Sequence, residues 1–207
     1  MQKFARGIIG TNNVDHSLGA HRHRGIDVFE EMLGVTAATS AIGELQKSDV
    51  ILVDGVDLSW QLPTIGGIVI RRHLAGAKLI VIDPRRHRVA EHADHFMQIR
   101  PGNDILLYGA MAKVIVDRGL ANLPFIKEHC TNYEAFLENV HAHDVLKAAD
   151  QAGVSPEVIE EAAIAYATAR AGMILYSTGV EARGPEVIRS IVNLALLTGH
   201  LGREGAG

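Results

Sequence analysis

The apolar residues of this chain alternate between short unbroken runs and longer stretches with helical spacing. Val50–Val53 and Leu79–Ile82 are continuous apolar runs. Such runs are typical of strands that are buried on both faces of a parallel sheet. Between them, residues 63–75 have the length of a crossover helix, and Gly76 follows as its C-terminal stop. Residues 48–83 are therefore predicted to form one βαβ unit with a right-handed crossover.

The rest of the pattern predicts further helices and strands around this unit. Short apolar runs predict strands at 96–99 and 173–176. Helical spacing and stop signals predict helices at 1–9, 26–34, 38–47, 104–118, 156–170 and 185–198, with shorter helices between 121 and 150. Asp104 is predicted to be the N-cap of its helix. The polar segment 15–25 has no periodicity and is predicted to be a loop. This alternation predicts an α/β fold, a three-layer α/β/α, doubly wound domain with a mainly parallel sheet.

The length of 207 residues is that of one domain. We divide the chain into an opening helix and His/Arg-rich loop (1–25), a βαβ core (26–119), a helical connection (120–153) and a closing helix–strand–helix (154–207). The chain begins within a predicted helix and stops within a predicted loop. We therefore expect a single α/β domain, 1–207, excised from a longer polypeptide.

Composition excludes several classes of protein. The net charge of −4 gives no basic surface for nucleic acid. The apolar runs are well short of the ~20 residues that a membrane span needs, so no direct membrane insertion is expected. The single cysteine, Cys130, excludes an internal disulfide framework and a Cys-only iron–sulfur or zinc site. A cytoplasmic location is expected, with peripheral attachment to a membrane through partner subunits left open.

Acidic residues and glycines follow three consecutive predicted strands. They lie in Asp54-Gly55-Val56-Asp57, Asp83-Pro84-Arg85 and Gly102-Asn103-Asp104. In an open α/β sheet these ends converge beside the topological switch point. Carboxylates there accept hydrogen bonds from ribose hydroxyls or a guanine edge, glycines let the backbone approach a phosphate, and Arg85 suits a phosphate. The alternative is that these residues only form turns and a helix cap. No G-x-G-x-x-G follows the first strand, so the ordinary NAD fingerprint is absent.

Histidines form a second group, and six of them raise the question of a metal site. These are His16, His21, His23, His87, His92 and His95. Metal binding by the loop histidines is disfavoured, because no Cys, Glu or Asp at zinc-like spacing completes the set and neighbouring arginines repel a cation. We predict no metal ligands and no catalytic residues in this chain.

Ordered segments along nearly the whole chain resemble the molybdopterin oxidoreductases. The segments are GTNNVD (10–15), SDVILVDG (48–55), AGAKLIVIDPRR (75–86), PGNDILLYGAM (101–111), VSPEVIEEAAIAYATARAGMILYSTGV (154–180) and LALLTGHLGREGAG (194–207). Formate dehydrogenase α subunits and the related G-type subunit of NADH–quinone oxidoreductase are the most similar. The resemblance implies the central α/β domain that binds one guanosine half of a molybdopterin guanine dinucleotide. The family's iron–sulfur cluster segment would lie upstream, outside this fragment.

The resemblance assigns cofactor binding to residues that match the family's motifs. They are Gly55, Asp57, Asp83, Arg85, Gly102, Asp104 and Gly179.

This chain departs from the family's pattern at two places. Formate dehydrogenases carry a Cys or selenocysteine molybdenum ligand in the loop after N-N-V-D, whereas residues 16–25 contain no Cys, and His21 lies about where the ligand would fall. Asp57-Leu58 replaces the family's N-P, and Leu62 replaces the His of its His-Pro. A G-type subunit, which keeps the fold without a working molybdenum site, fits these losses better.

Three functions follow as hypotheses. The first is that the chain is part of a larger oxidoreductase of the NADH dehydrogenase or formate dehydrogenase type. It would serve electron transfer together with the remaining domains of its polypeptide and with other electron-transfer subunits. The fragment alone would be inactive. The second is a non-catalytic structural or interaction domain with a degenerate cofactor pocket. The third, a nucleotide-sugar or NAD-binding enzyme, is disfavoured by the missing glycine fingerprint.

Overall fold

The computed structural model describes residues 1–14 and 24–207, with the side chain of Arg24 excluded. Its centre is a sheet of four parallel strands, β1 (Val50–Asp54), β2 (Lys78–Ile82), β3 (His95–Met97) and β4 (Gly172–Tyr176). Helices cover both faces. The predicted α/β fold with a parallel sheet is confirmed.

The strand order is β3-β2-β1-β4, so the order along the sheet reverses beside β1. β1, β2 and β3 step in one direction, and β4 returns to the other side of β1. Val50 pairs with Gly172 and Asp54 with Tyr176, which brings the carboxyl ends of β1 and β4 level. The crevice between these two ends is the topological switch point, where ligands of open α/β sheets bind.

Helices connect the strands and flank the sheet. They are α1 (Gln2–Phe4), α2 (Arg24–Leu33), α3 (Leu58–Gln61), α4 (Pro63–Leu74), α5 (Asp104–Asp117), α6 (Leu123–His129), α7 (Tyr133–His141), α8 (Val145–Ala152), α9 (Pro156–Thr168), α10 (Thr178–Glu181) and α11 (Pro185–Thr198). A π-helical turn spans Ala5–Ile9, and 3-10 turns span Ile42–Lys47 and Ala90–His92. Among the helices of residues 1–14 and 24–207, none has the length and apolar character needed to cross a bilayer.

Alternating residues of each strand enter two separate cores. Leu52 and Ile80 belong to the core that includes residues of α5, α9 and α11, whereas Ile51 and Val81 pack on the other face with Val69 of α4. This follows from the pleat of a strand, which sends successive side chains to opposite faces. Strands with apolar residues at every position therefore require a helical layer on each side.

Two local helix predictions differ from the structure. The segment 38–47 is not an α-helix but irregular backbone followed by the 3-10 turn Ile42–Lys47. Contacts with the C-terminal loop hold it instead: Ser40 donates to the carbonyl of Ala206, and Glu44 accepts from the N–H of Gly205. Asp104 is the first residue of α5 rather than its N-cap, which is Asn103.

The predicted loop 15–25 and the third strand also need adjustment. Residues 24 and 25 belong to α2, and residues 15–23 lie outside the described part of the chain. β3 covers 95–97 rather than 96–99.

A buried histidine joins three segments at the far end of β4. His200 is fully buried; its Nε2 donates to the carbonyl of Tyr166 at 2.8 Å, and its Nδ1 accepts from the N–H of Gly172 at 3.2 Å and from Arg203 at 2.7 Å. Burial lowers the pKa of His200 to about 4. The ring is therefore neutral at pH 7, and sequence reasoning did not identify it.

Candidate functional site

Two glycines bring the backbones of the β1 and β4 ends into direct contact. Gly55 follows β1 with φ +60°, and its N–H donates to the carbonyl of Ile82 at 3.0 Å. A Cβ on Gly179, in α10, would lie 2.4 Å from the carbonyl oxygen of Gly55. A Cβ on Gly55 would lie 3.1 Å from the backbone nitrogen of Val180. The two backbones can meet this closely because neither residue has a side chain. Gly179 is also exposed, and exposed glycine backbone lets a phosphate or sugar approach closely.

Asp57 caps the short helix that follows β1. Its Oδ1 accepts from the backbone N–H groups of Ser59 at 3.1 Å and Trp60 at 3.3 Å. The same oxygen lies 3.8 Å from Nδ1 of His87. The carboxylate is thus held in place by the local fold.

Asp83 stands at the end of β2 and is 4% exposed. Its Oδ1 accepts from the backbone N–H of Arg85 at 2.7 Å, which forms an Asx turn. Its Oδ2 lies 3.8 Å from Nε2 of His87. The guanidinium of Arg85 makes no hydrogen bond or ion pair within the described residues, and the residue is exposed. Arg85 is thus available to a ligand but is not positioned by a protein partner.

The third turn carries Gly102 and Asp104. Gly102 has φ +95°, and its missing Cβ would lie 3.9 Å from Nη1 of Arg183. Arg183 follows α10, so an exposed cation from beyond β4 reaches this turn; sequence reasoning missed it. Asp104 is 7% exposed, and its Oδ2 is buried without a hydrogen-bond partner in the part of the chain that the structure describes.

Asp54, the last residue of β1, lies beneath these turns. It is 1% exposed, and its Oδ2 accepts a hydrogen bond from the hydroxyl of Tyr108 at 2.8 Å. The pKa of Asp54 is raised to about 8: burial is the main cause, the hydrogen bond from Tyr108 lowers the pKa, and the charges of Asp104 and Asp83 add to the rise. Burial also raises the pKa of Tyr108. Asp54 is therefore a neutral acid at pH 7, and its position at the end of an apolar run was the available sequence signal.

Several buried polar atoms at the carboxyl edge of the sheet have no hydrogen-bond partner among the described residues. They are Oγ of Ser59, both ring nitrogens of His87 and Oδ2 of Asp104. Each follows the carboxyl end of a different strand, β1, β2 and β3 respectively. Unpartnered buried polar atoms cost free energy and are rare in native proteins, so a cluster of them is a reason to expect a bound polar ligand. Together with the bare glycine backbone, this donor and acceptor set fits a nucleoside phosphate.

No cysteine stands in residues 16–25, where the resemblance places the family's molybdenum ligand. Cys130, the chain's one cysteine, is half-buried at the end of α6, and burial raises the pKa of its thiol. Within residues 1–14 and 24–207, no three His, Cys, Asp or Glu side chains gather in a way that could hold a metal ion. The loop around His21 lies outside that part of the chain. The described residues thus offer no ligand set for a metal ion.

The structure brings together most of the residues that the sequence singled out. Gly55 contacts Gly179, and Asp57 and Asp83 flank His87. Gly102 and Asp104 lie on the neighbouring turn. Their assignment to cofactor binding stays a prediction.

A family model and individual relatives both link the chain to the molybdopterin oxidoreductases. A family model described as molybdopterin oxidoreductase matches residues 1–207. The chain is 36% identical to F420-dependent formate dehydrogenase 1 subunit alpha of Methanococcus maripaludis over 208 residues, covering 100% of this chain and 31% of the relative. It is 35% identical to formate dehydrogenase H of Escherichia coli, covering 100% of this chain and 29% of the relative.

A solved structure has the same fold. Acetylene hydratase from Pelobacter acetylenicus superposes with a TM-score of 0.81 over 97% of this chain and 27% of the other, at 24% sequence identity. The chain therefore spans under a third of the length of these proteins, and further domains of the polypeptide are expected. Because the family match covers its whole length, the chain belongs to the molybdopterin oxidoreductase family.

Proposed function

We propose that the crevice between β1 and β4 binds the guanosine end of a molybdopterin guanine dinucleotide, within an oxidoreductase subunit of the formate dehydrogenase type. The observation that carries this proposal is the set of unpartnered buried polar atoms that follow the carboxyl ends of β1, β2 and β3, at the same edge of the sheet as the contact between Gly55 and Gly179. The family as a whole uses a molybdenum–pterin cofactor, and its guanine dinucleotide form is the finer proposal.

Each part of the crevice has a separate task in this proposal. The bare backbone at Gly55 and Gly179 lets the diphosphate approach, and the exposed guanidinium groups of Arg85 and Arg183 offset its charge. Asp83, whose Oδ1 is held by the backbone of Arg85, presents Oδ2 to ribose hydroxyls or guanine N–H groups. When bound, the molybdenum–pterin group would supply the redox chemistry. In this proposal the described residues would bind and orient the guanosine end of the cofactor.

We further propose that the whole polypeptide transfers electrons in a formate dehydrogenase-like or NADH–quinone oxidoreductase-like assembly. The names of the relatives support the first arrangement, since two of them are formate dehydrogenases. The missing Cys in the loop 16–25 supports the second, in which a G-type subunit keeps the fold without molybdenum chemistry.

A second candidate is a structural or interaction domain with a degenerate pocket. The observation that favours it is the pair of changes at Asp57 and in the Cys-free loop, which add a negative charge near the phosphates and remove the metal ligand. This candidate keeps the fold and predicts no nucleotide affinity.

Calorimetric titration of the purified protein with GDP and with ADP separates the two candidates. Cofactor binding predicts saturable binding of GDP that is tighter than that of ADP. Asp83→Asn keeps an acceptor for the N–H of Arg85 but removes the charge, and we expect at least about tenfold weaker GDP binding, the effect of one charge-assisted hydrogen bond. Asp117→Asn, at an exposed aspartate paired with Lys113, is the matched control.

Two results would contradict the proposal. If the wild-type protein bound neither nucleotide, the structural candidate would replace it. If Asp83→Asn bound GDP as well as Asp117→Asn did, the assignment of Asp83 would be wrong.

A further inference from the structure

We infer that Trp60 is the residue on which the base of the bound nucleotide stacks. The inference rests on the proposed function, because it adds a contact to the ligand of the same crevice. Trp60 lies between the segments 48–55 and 75–86, outside every segment on which the resemblance to the family rests. The resemblance therefore assigns no role to this residue.

Trp60 exposes a large apolar side chain to solvent. The residue is 85% exposed, and among the exposed large apolar residues of the described ranges only Met1 exceeds it. An indole ring carries a large apolar surface, and proteins usually cover such a ring in the core or against a binding partner. The exposure of this ring is therefore a reason to expect a ligand that covers it.

The helix that carries Trp60 is fixed at the carboxyl edge of the sheet. α3 begins shortly after β1, and Oδ1 of its cap, Asp57, accepts a hydrogen bond from the N–H of Trp60 at 3.3 Å. Leu58 of α3 is buried in the core. A Cβ on Gly66 of α4 would lie 3.0 Å from the carbonyl oxygen of Leu58, so the two helices pack with their backbones in contact. A ring on a fixed helix loses little conformational entropy when it binds a ligand.

The residue after Trp60 links α3 to the other side of the crevice. Oε1 of Gln61 accepts a hydrogen bond from the hydroxyl of Ser177 at 3.4 Å. Ser177 directly follows β4, and Gly179, which contacts Gly55, is two residues further along the chain. α3 therefore extends from the end of β1 to the end of β4, beside the switch point where ligands of such sheets bind. The exposed ring of Trp60 belongs to this same edge.

The surface around Trp60 suits a small flat ligand better than a protein. In the segment 57–64 the exposed apolar residues are Trp60, Leu62 and Pro63. A standard protein–protein interface has about 20–30 residues on each side. Ser59 and Gln61, the neighbours of Trp60 in sequence, are polar. A nucleobase is flat, and its faces stack on aromatic side chains.

Trp60 is the single tryptophan of the chain, so its fluorescence reports on this contact directly. Quenching by acrylamide is measured for the wild type alone and with GDP, ADP or inorganic pyrophosphate, while calorimetry follows binding. We expect GDP and ADP to reduce the access of acrylamide to the indole several-fold. Pyrophosphate has no base and should leave the quenching unchanged. This measurement needs no variant, so it does not depend on how a substituted protein folds.

Calorimetric titration of variants provides the second measurement. Stacking is tolerant of base identity, so Trp60→Ala should weaken GDP and ADP binding by similar factors, each at least about fivefold. Trp60→Phe retains an aromatic face and should keep most of the affinity. The control is Leu74→Ala, which should bind as the wild type does. Leu74 is 72% exposed and lies just before β2 begins, at the opposite edge of the sheet.

The outcomes separate this inference from the proposed function. If calorimetry shows GDP binding while acrylamide quenching stays unchanged, the proposed function stands and the stacking role of Trp60 is overturned. Equal GDP affinity of Trp60→Ala and Leu74→Ala would overturn it too, as would equal protection of the indole by pyrophosphate and by GDP. If the wild type binds no GDP at all, the proposed function and this inference fail together.

Discussion

The hydroxyl of Tyr108 donates a 2.8 Å hydrogen bond to Oδ2 of Asp54, and both groups are buried. Asp54 ends the central strand β1, and Tyr108 lies on α5, so this bond joins the sheet to its helical layer directly beneath the crevice. Burial raises the pKa of Asp54 to about 8, so the carboxyl keeps its proton at pH 7. The floor of the crevice is consequently neutral while its walls carry Asp83 and Asp104.

The first prediction concerns the pH dependence of stability that Asp54 creates. Between about pH 4 and pH 8 the folded state retains a proton that the unfolded chain has released. Stability therefore falls with rising pH, by about 1.4 kcal/mol per pH unit from this group alone. Asp54→Asn keeps an acceptor for Tyr108 and removes the titration. Its free energy of unfolding, measured in urea, should rise progressively relative to the wild type across this range.

The control for this measurement is Asp117→Asn, at an exposed position that pairs with Lys113. Its stability difference from the wild type should show no slope of this size. Parallel profiles for the wild type and Asp54→Asn would show that Asp54 is ionised in the folded protein.

A second prediction tests the contact at the switch point. In Gly179→Ala the new Cβ would lie 2.4 Å from the carbonyl oxygen of Gly55, so one backbone has to move. Such overpacking costs about 1–3 kcal/mol of unfolding free energy. Gly43→Ala is the control, because no described atom lies within 4 Å of a Cβ there. Equal stability of Gly179→Ala and the wild type would mean that the crevice opens without cost.

The third prediction concerns the loss of stability in acid that His200 causes. Burial lowers the pKa of His200 to about 4, against 6.5 for the free side chain. Between these two pH values the unfolded chain binds a proton at this histidine and the folded chain does not. Stability from this group is present above about pH 6.5 and is lost as the pH falls toward 4, by about 1.4 kcal/mol per pH unit. His200→Gln should be less stable at pH 7 but should lack this additional loss in acid. The control is His92→Gln, at an exposed position, whose free energy of unfolding should change with pH as that of the wild type does. If the free energy of unfolding of His200→Gln fell in acid as steeply as that of the wild type, the prediction would be contradicted.

A fourth prediction orders the charges around Asp54. Asp104 raises the pKa of Asp54 more than Asp83 does. Asp104→Asn should therefore lower that pKa, and Asp83→Asn should lower it by less. Carbon-13 NMR titration of the Asp54 carboxyl measures both. The reverse order, or no change in Asp104→Asn, would show that these carboxylates do not act on Asp54 through space.

The parts of the fold that depend on local pattern were predictable from the sequence. The runs at β1 and β2 are apolar at almost every position, and burial on both faces is the arrangement that such strands require. The segment 38–47 was predicted wrongly, because the contacts of Ser40 and Glu44 come from a loop over 150 residues away. Local periodicity carries no information about such partners.

Part of the candidate site was likewise predictable from local sequence, and part of it was not. Gly55 and Asp83 follow recognisable strands, so their place at the carboxyl edge could be predicted. The roles of Asp54, His87 and Arg183 depend on which side chains from other elements face them, as Tyr108 faces Asp54. Asp104 was mistaken for a helix cap because its residue type suits that position, and Asn103 takes the position instead.

The strand order also has a consequence for how the chain folds. β1 and β2 close a short loop, whereas β1 and β4 join segments roughly 120 residues apart, a closure with a larger entropic cost. Pairings of such high sequence separation slow folding. Gly55 and Gly179 meet only when β1 pairs with β4. A ligand that contacts both glycines would therefore stabilise the folded chain after this late pairing has formed, and it would not speed the early steps of folding.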